Sequence, residues 1–521
     1  MSLARNAGTV GGLTALSRVF GFLRDMLLAR LLGASLAADA FQLAFVLPNT
    51  FRRLFAEGAF SVVFVPMYSR ALHGEGEEQA ARFADQVLAI FVVVLLGFTA
   101  LAMLAMPAIV WLLAGEFRTV PGKFELSITL ARITFPYLGL VSVVAMLSGL
   151  LNARNRFVPG ASVPLLLNFV LLAGMGIGAL LRRQGGDDNS IAVALAVAVT
   201  VAGIVQLGYM LWAVRRAGVR LSLRLPRLTP QVKRLALQIL PTTAGAGIYQ
   251  ASQFVDTFFA TTLPQGSLSL LKYGDRLHQL PLGIVGIALG TAILPMLSRH
   301  IHSGEQAEAQ ALQARSVEMA TLLALPAAAA LAVCSPAFVT ALFVGGRFTH
   351  GDAAVMAGVV TALVIGLPAQ VLVKVLQPGF YAREDVRTPV LVAGLALLAN
   401  IAVNFVVVPR FGIVGLAAAT TVTALINVVV LVTILRLRGW FRLTGEVAGR
   451  IARQLLATLA MVAVLQEMLP LFADWYAAGF FARLTALAAL MGAGLVTFFA
   501  AAFLTGALDK QRLLQLVRRG S

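Results

Sequence analysis

The chain has 521 residues, of which 59% are hydrophobic and only 12% charged, with a mean hydropathy of +0.88. Soluble domains are about half apolar and about a quarter charged, so water is not the principal solvent of this protein. The excess of 41 Lys and Arg over 23 Asp and Glu reads as the basic bias of cytoplasmic loops, not as a nucleic-acid footprint. A lone cysteine, Cys334, excludes an internal disulfide and reads as a small core residue.

In chain order, the first apolar stretch contains Arg18, Arg24 and Asp25 and no small-residue cleavage site, so it is expected to be a mature helix and not a removable signal. Runs of about 20 apolar residues then recur between short polar breaks, the length a helix needs to cross the hydrocarbon core. Runs such as Val87 to Leu113 are continuously apolar, which does not fit the alternation of barrel strands. The reading is an all-α polytopic membrane protein with fourteen transmembrane helices, centred near residues 22, 54, 100, 138, 171, 202, 248, 285, 324, 367, 398, 424, 458 and 493.

Alternate breaks differ in basic charge. The breaks on the N-terminal side hold most of the Lys and Arg, including Arg215, Arg216, Arg220, Arg436, Arg438 and Arg442. The opposite side holds only Arg118, Lys123, Arg182, Arg183, Lys272, Arg347 and Arg410. Positive-inside places both termini in the cytoplasm.

The chain also repeats itself. Val65-Pro66-Met67-Tyr68-Ser69-Arg70 returns as Leu294-Pro295-Met296-Leu297-Ser298-Arg299, an interval of 229 residues, and Ala153-Arg154 ahead of Pro159 returns as Ala382-Arg383 ahead of Pro389. Phe135-Pro136 matches Leu367-Pro368 at nearly the same spacing. Six helices separate equivalent points, so the copies share orientation, and two six-helix lobes in parallel repeat are expected around a central site. The division is an N-terminal lobe over 1–214, a basic inter-lobe linker over 215–234, a C-terminal lobe over 235–439, and accessory helices with a basic tail over 440–521. The linker interleaves leucines with arginines and is either a segment lying along anionic headgroups or an ordinary charged connection.

Arg18, Arg24, Arg52, Arg53, Arg276 and Lys374 fall well inside predicted spans. Left in lipid they would cost on the order of 15 to 20 kcal/mol together, so they must be solvated or paired. Acids available on the same helices are Asp25, Asp39, Glu57 and Asp275, with Arg53 and Glu57 spaced i, i+4. A net positive interior results, and guanidinium groups match the oxygens of a diphosphate bidentately. The bland alternative is structural pairing and snorkelling near helix ends. Gly21, Pro48 and Pro281 interrupt the charged helices, as gating hinges or as routine kinks.

Asp256, Asn400, Asn404 and Thr420 offer oxygen ligands on three helices of one lobe. They form either a sodium or proton site or interhelical hydrogen bonds. His278 is a candidate cavity residue, whereas Gly174-Met175-Gly176-Ile177-Gly178 lies in an apolar helix with no preceding strand and reads as close packing. With no P-loop, nucleophile elbow or hydrolytic carboxylate pair, the sequence predicts no ATP-driven chemistry and no cofactor, leaving an ion gradient (Na+ or H+) or the membrane potential as the driving force.

Ser17-Arg18-Val19-Phe20-Gly21-Phe22-Leu23-Arg24-Asp25, Ala38-Asp39-Ala40-Phe41, Leu47-Pro48-Asn49 and Arg52-Arg53-Leu54-Phe55-Ala56-Glu57-Gly58 resemble the MurJ (MviN) lipid II flippases. Tyr273-Gly274-Asp275-Arg276-Leu277 and Val373-Lys374-Val375-Leu376 through Arg383 agree as well. The resemblance implies the fold of the multidrug, oligosaccharidyl-lipid and polysaccharide exporter superfamily, with fourteen helices around a central cavity. It implies movement of lipid II, an undecaprenyl diphosphate glycolipid, from the cytoplasmic to the outer leaflet of the bacterial inner membrane for peptidoglycan synthesis, beside membrane lipids and cell-wall synthesis proteins as partners. Residues carried over by the resemblance are Arg18, Arg24, Asp39, Arg52 and Arg276 in the cavity, with Asp25, Arg53, Glu57 and Lys374 as second choices. In some relatives a sodium site uses acids on the seventh and eleventh helices. Here Asp256 is present while the eleventh helix carries the neutral Asn400 and Asn404, which departs from that pattern. Rival readings are a related polysaccharide-lipid or drug exporter, and a membrane-embedded glycosyl or phosphoglycosyl transferase, for which Asp187-Asp188 are the adjacent acids on the outer side.

Overall fold

The computed structural model describes residues 3–53, 60–222 and 225–508. Its described residues are almost entirely helical and form two compact units, Met1–Ser269 and Leu270–Ser521. The first contains α1 (Leu3–Leu32), α2 (Leu36–Arg52), α3 (Ser61–Gly74), α4 (Glu77–Leu104), α5 (Met106–Ala114), α6 (Lys123–Thr134), α7 (Pro136–Ala153), α8 (Val158–Arg183), α9 (Asp188–Arg216) and α10 (Pro230–Thr261). The boundary falls within α11 (Ser267–Pro281). Beyond it come α12 (Ile287–His302), α13 (Gln306–Val333), α14 (Ser335–Phe343), α15 (His350–Ile365), α16 (Leu367–Leu376), the short α17 (Pro378–Tyr381), α18 (Arg387–Leu437), α19 (Gly445–Met468), the short α20 (Ala473–Ala477) and α21 (Phe480–Leu504).

Nine helical stretches among the described residues are long and apolar enough to cross a membrane. One of them, α18, has 51 residues, roughly 77 Å at about 1.5 Å per residue, far more than one crossing requires. It breaks at Gly412, whose φ of 57° and ψ of −136° only glycine adopts without strain. The expected eleventh and twelfth spans therefore meet at a single glycine, just after Pro409. The apolar run from Val87 to Leu113 is likewise interrupted: Pro107 sits in the first turn of α5 and α4 ends at Leu104, because proline cannot continue a preceding helix.

The 229-residue interval reappears in three dimensions. Helix α4, Glu77–Leu104, and α5, Met106–Ala114, have their counterparts at that spacing in α13, Gln306–Val333, and α14, Ser335–Phe343. Asn155 and Glu384, 229 residues apart, both take left-handed backbone, at φ 58° and 62°. Just before each, an arginine reaches back 77 residues: Arg154 to Glu77 at 3.3 Å and Arg383 to Gln306 at 3.2 Å. Arg154 also donates to the Tyr68 hydroxyl, while Arg383 lies over the Trp440 ring. Each copy thus ends its fourth span with an arginine that fastens the start of its third.

Close packing follows small residues. A Cβ on Gly174 would fall 2.7 Å from Ala198 Cβ, and one on Gly178 would fall 2.9 Å from Ile191 Cγ2, so the glycine series lets α8 press against α9. In the first unit α10 packs against α2, α3, α4 and α5, so that unit extends past the basic segment 215–234. In the second, α19 is fixed to α13 by buried polar groups: Arg450 donates to both Glu318 oxygens at 3.1 and 3.2 Å, and fully buried Gln454 accepts from Thr321 at 2.8 Å.

Candidate functional site

Within the first unit the charged residues of α1 and α2 separate into two clusters. Arg24 is 5% exposed. Its Nε donates to Asp25 Oδ1 at 2.9 Å, its Nη2 lies 2.7 Å from the same oxygen, and its Nη1 donates to Asn168 Oδ1 at 3.1 Å. The Asn168 amide is fixed in turn, because its Nδ2 donates to the Ser17 carbonyl at 3.0 Å. Gly21 faces this amide, where a Cβ would stand at ordinary contact distance, 3.5 Å from Asn168 Nδ2. The guanidinium also lies over the Phe45 ring. Breaking a buried pair of this kind costs about 3 to 5 kcal/mol, so Arg24 is held in one geometry. Arg18, earlier on the same helix, and Arg52, at the end of α2, are half-buried, and Arg53 is exposed. Glu57, the expected i, i+4 partner of Arg53, lies outside the described residues.

Asp39, just past the C-terminal end of α1, is 1% exposed. Ser35 caps α2 and sets Asp39 in its first turn. Its Oδ2 accepts from Lys123 Nζ at 2.8 Å and from the Gly266 amide at 2.7 Å; its Oδ1 accepts from the Ser269 amide at 3.0 Å and hydroxyl at 2.7 Å. An ionised carboxylate has about four lone-pair directions, and all four are used here. In this state Asp39 is an anchor for the α10–α11 turn, with no acceptor capacity left for a ligand. Lys123 is 2% exposed and stands 3.9 Å from the centroid of Phe117. Gly266 is required twice over: its φ is 90°, and a Cβ would sit 2.6 Å from the Ala34 carbonyl oxygen.

In the second unit Arg276 is half-buried on α11, and its neighbour Asp275 accepts from Gln279 and faces His278 Nδ1 at 3.4 Å. His278 is 3% exposed. A π-helical turn, Leu282–Gly286, follows Pro281 directly. Gly286 and Gly290 then let the chain lie against α16, where a Cβ on Gly290 would come within 3.0 Å of the Lys374 carbonyl; the Lys374 side chain itself is exposed. Asn404 Nδ2 donates to Asn400 Oδ1 at 3.0 Å, and Asn400 Nδ2 approaches Thr423 Oγ1 at 3.4 Å. Thr420 turns back to the Leu416 carbonyl of its own helix. Asp256 is half-buried on α10, in the first unit.

Two groups that organise the site were not singled out in the sequence. Asn168 carried a usable signal, a polar side chain inside an apolar run. Lys123 carried none, since a lysine beside a glycine turn reads as an ordinary loop charge. The Asp187-Asp188 pair has local duties: Asp187 caps α9 by accepting from the Ser190 amide at 2.9 Å, and Asp188 pairs with Arg182. Neither carboxylate is arranged with the other for metal or acid chemistry.

These features define a polytopic helical transporter with ionised groups buried among its charged helices. The model of the family described as lipid II flippase MurJ matches residues 28–487. A probable lipid II flippase MurJ of Rhizobium meliloti is 40% identical over 528 aligned positions, covering 100% of this chain and 97% of its own. The lipid II flippase MurJ of Burkholderia cenocepacia is 33% identical, covering 96% of each. Among solved structures, lipid II flippase MurJ in an inward closed conformation matches at a TM-score of 0.78 and 21% identity, over 95% of this chain and 97% of that one. An inward-facing multidrug resistance MATE transporter of the MOP superfamily shares the fold, with a TM-score of 0.68 and 13% identity over 83% of this chain and 98% of its own. The chain belongs to the lipid II flippase MurJ family.

Proposed function

We propose that the protein is a lipid II flippase of the inner membrane, moving the undecaprenyl-diphosphate-linked peptidoglycan precursor from the cytoplasmic to the outer leaflet by alternating access. The observation that carries this reading is Arg24: a guanidinium 5% exposed in an apolar bundle, oriented by Asp25 and Asn168, in a chain matched to the family along most of its length. Guanidinium groups match the oxygens of a diphosphate, and the substrate's polyprenyl tail can stay in lipid while its headgroup crosses.

In this reading Arg18, Arg24, Arg52 and Arg276 capture the diphosphate, with Arg53 and Lys374 assisting and Asp25 and Asp275 holding neighbouring cations in place. Arg276 and Lys374 lie in the second copy of the repeat and the other arginines in the first. Asp39 acts through the turn it anchors. Both termini are cytoplasmic and the chain crosses the membrane fourteen times, as the basic breaks and the repeat interval suggest. Transport draws on the membrane potential or an ion gradient, with Asn400, Asn404 and Thr420 on α18 as candidate sodium ligands, and cell-wall synthesis proteins act on the delivered substrate. No bond is broken.

Cells depleted of their own lipid II flippase supply the test. Arg24→Ala, Arg18→Ala, Arg52→Ala and Arg276→Ala are expected to lose rescue while still reaching the membrane. Full rescue by all four would sink the capture model.

A further inference from the structure

The basic segment after α9 is given no role in the flippase reading above, and its described residues are fastened to the first unit. Asp85 on α4, 3% exposed, accepts from the Ser222 amide at 2.8 Å and the Ser222 hydroxyl at 2.6 Å. Seven residues on, the Thr229 hydroxyl donates to Gln86 Oε1 at 3.1 Å and caps α10. Val219 is buried in the core of the first unit. The segment is therefore fastened at both ends to the start of α4.

What it presents outward is amphipathic. Leu225 is 81% exposed and Leu228 74%, between the exposed side chains of Arg220, Arg227 and Lys233. No acidic residue occurs between Arg215 and Arg234. Just ahead of it, exposed Trp212 stacks beside Tyr209 and lies under the Arg216 guanidinium at 5.2 Å. Tryptophan and tyrosine at a span's end mark the headgroup level of a bilayer. Two exposed leucines flanked by cations, on a segment fastened at Ser222 and Thr229, match a surface whose outer layer is anionic and whose next layer is apolar.

We propose that Leu225 and Leu228, with Arg220, Arg227 and Lys233 beside them, form a docking surface for anionic phospholipid, the leucines entering the acyl boundary and the three cations meeting headgroup phosphates. This rests on the cytoplasmic placement of the segment given above. Each basic group adjacent to an anionic surface strengthens such association about fivefold, so loss of three weakens it roughly a hundredfold.

The test uses the full chain in nanodiscs, with a nitroxide on Leu228→Cys in a Cys334→Ala background. Discs are made of phosphatidylcholine alone or with phosphatidylglycerol. With phosphatidylglycerol the label is expected to collide with oxygen and not with a water-soluble nickel chelate, and high salt is expected to reverse this. Arg220→Gln/Arg227→Gln/Lys233→Gln should return the label to water, while Arg220→Lys/Arg227→Lys keeps it in lipid, separating lost charge from misfolding. Four outcomes overturn the proposal: a label in water in both discs, a label equally buried in phosphatidylcholine alone, burial produced by inorganic phosphate without anionic lipid, or burial that requires an added cytosolic protein. Each leaves the flippase reading intact, because rescue by the wild-type chain is measured separately.

Discussion

Replacing Lys123 with methionine keeps the length and apolar stem of the side chain and removes only the charge. Asp39 would then be an ionised group 1% exposed, held by three neutral donors in place of three plus an ammonium 2.8 Å away. Removing one partner of a buried pair costs about 3 to 5 kcal/mol, most of it from the charge left behind. Asp39→Asn leaves Lys123 stranded and also turns an amide N–H toward donors, so a similar cost is expected. In Asp39→Asn/Lys123→Met both charges are gone, and the two costs should not add: an interaction of about 2 kcal/mol or more should be recovered. Reversible unfolding of the purified protein in mixed micelles, with all four members of the cycle, measures this. Additive losses would show that the pair is not energetically coupled and refute the view of Lys123 as the partner that holds Asp39 in the bundle.

Three further outcomes are expected. Asn168→Leu removes the acceptor for Arg24 and the donor to Ser17; a hydrogen bond to a charged group is worth about 1.5 to 3 kcal/mol, so translocation should fall at least about tenfold in vesicles while protein yield is kept. Gly266→Ala places a methyl 2.6 Å from a backbone oxygen at a φ of 90° and should destabilise by at least about 2 kcal/mol in the same unfolding assay. Asp385, in the break before α18, is pushed up by partial burial but held below the usual carboxylate range on balance by the Thr388 hydroxyl and amide and the Arg438 guanidinium. Its contribution is present above the unfolded carboxylate value and lost as pH falls through the lower folded one; Asp385→Asn should flatten that part of an acid stability curve and leave stability at neutral pH reduced.

The helical membrane class was legible because hydrocarbon leaves the backbone few choices, so apolar runs alone report it. The repeat was legible too: Arg154 and Arg383, noticed as a pair 229 residues apart, turn out to make corresponding bonds to Glu77 and Gln306. What stayed hidden were features set by partners far along the chain. The helix break at Ala105 interrupts an unbroken apolar run and leaves hydropathy almost unchanged. Asp39 was visible as a buried acid, but its partner Lys123 is 84 residues away, and a single sequence does not encode such pairings in its periodicity. Asn168 lies 144 residues from Arg24, so sequence gave Arg24 its cost without revealing what orients it.

Purified protein in sealed vesicles carrying labelled lipid II in one leaflet should move the label to the other leaflet with its chemistry unchanged, and Arg24→Ala should abolish that movement without loss of folded protein. Chemical conversion of the lipid, or equal translocation by Arg24→Ala, would contradict the account.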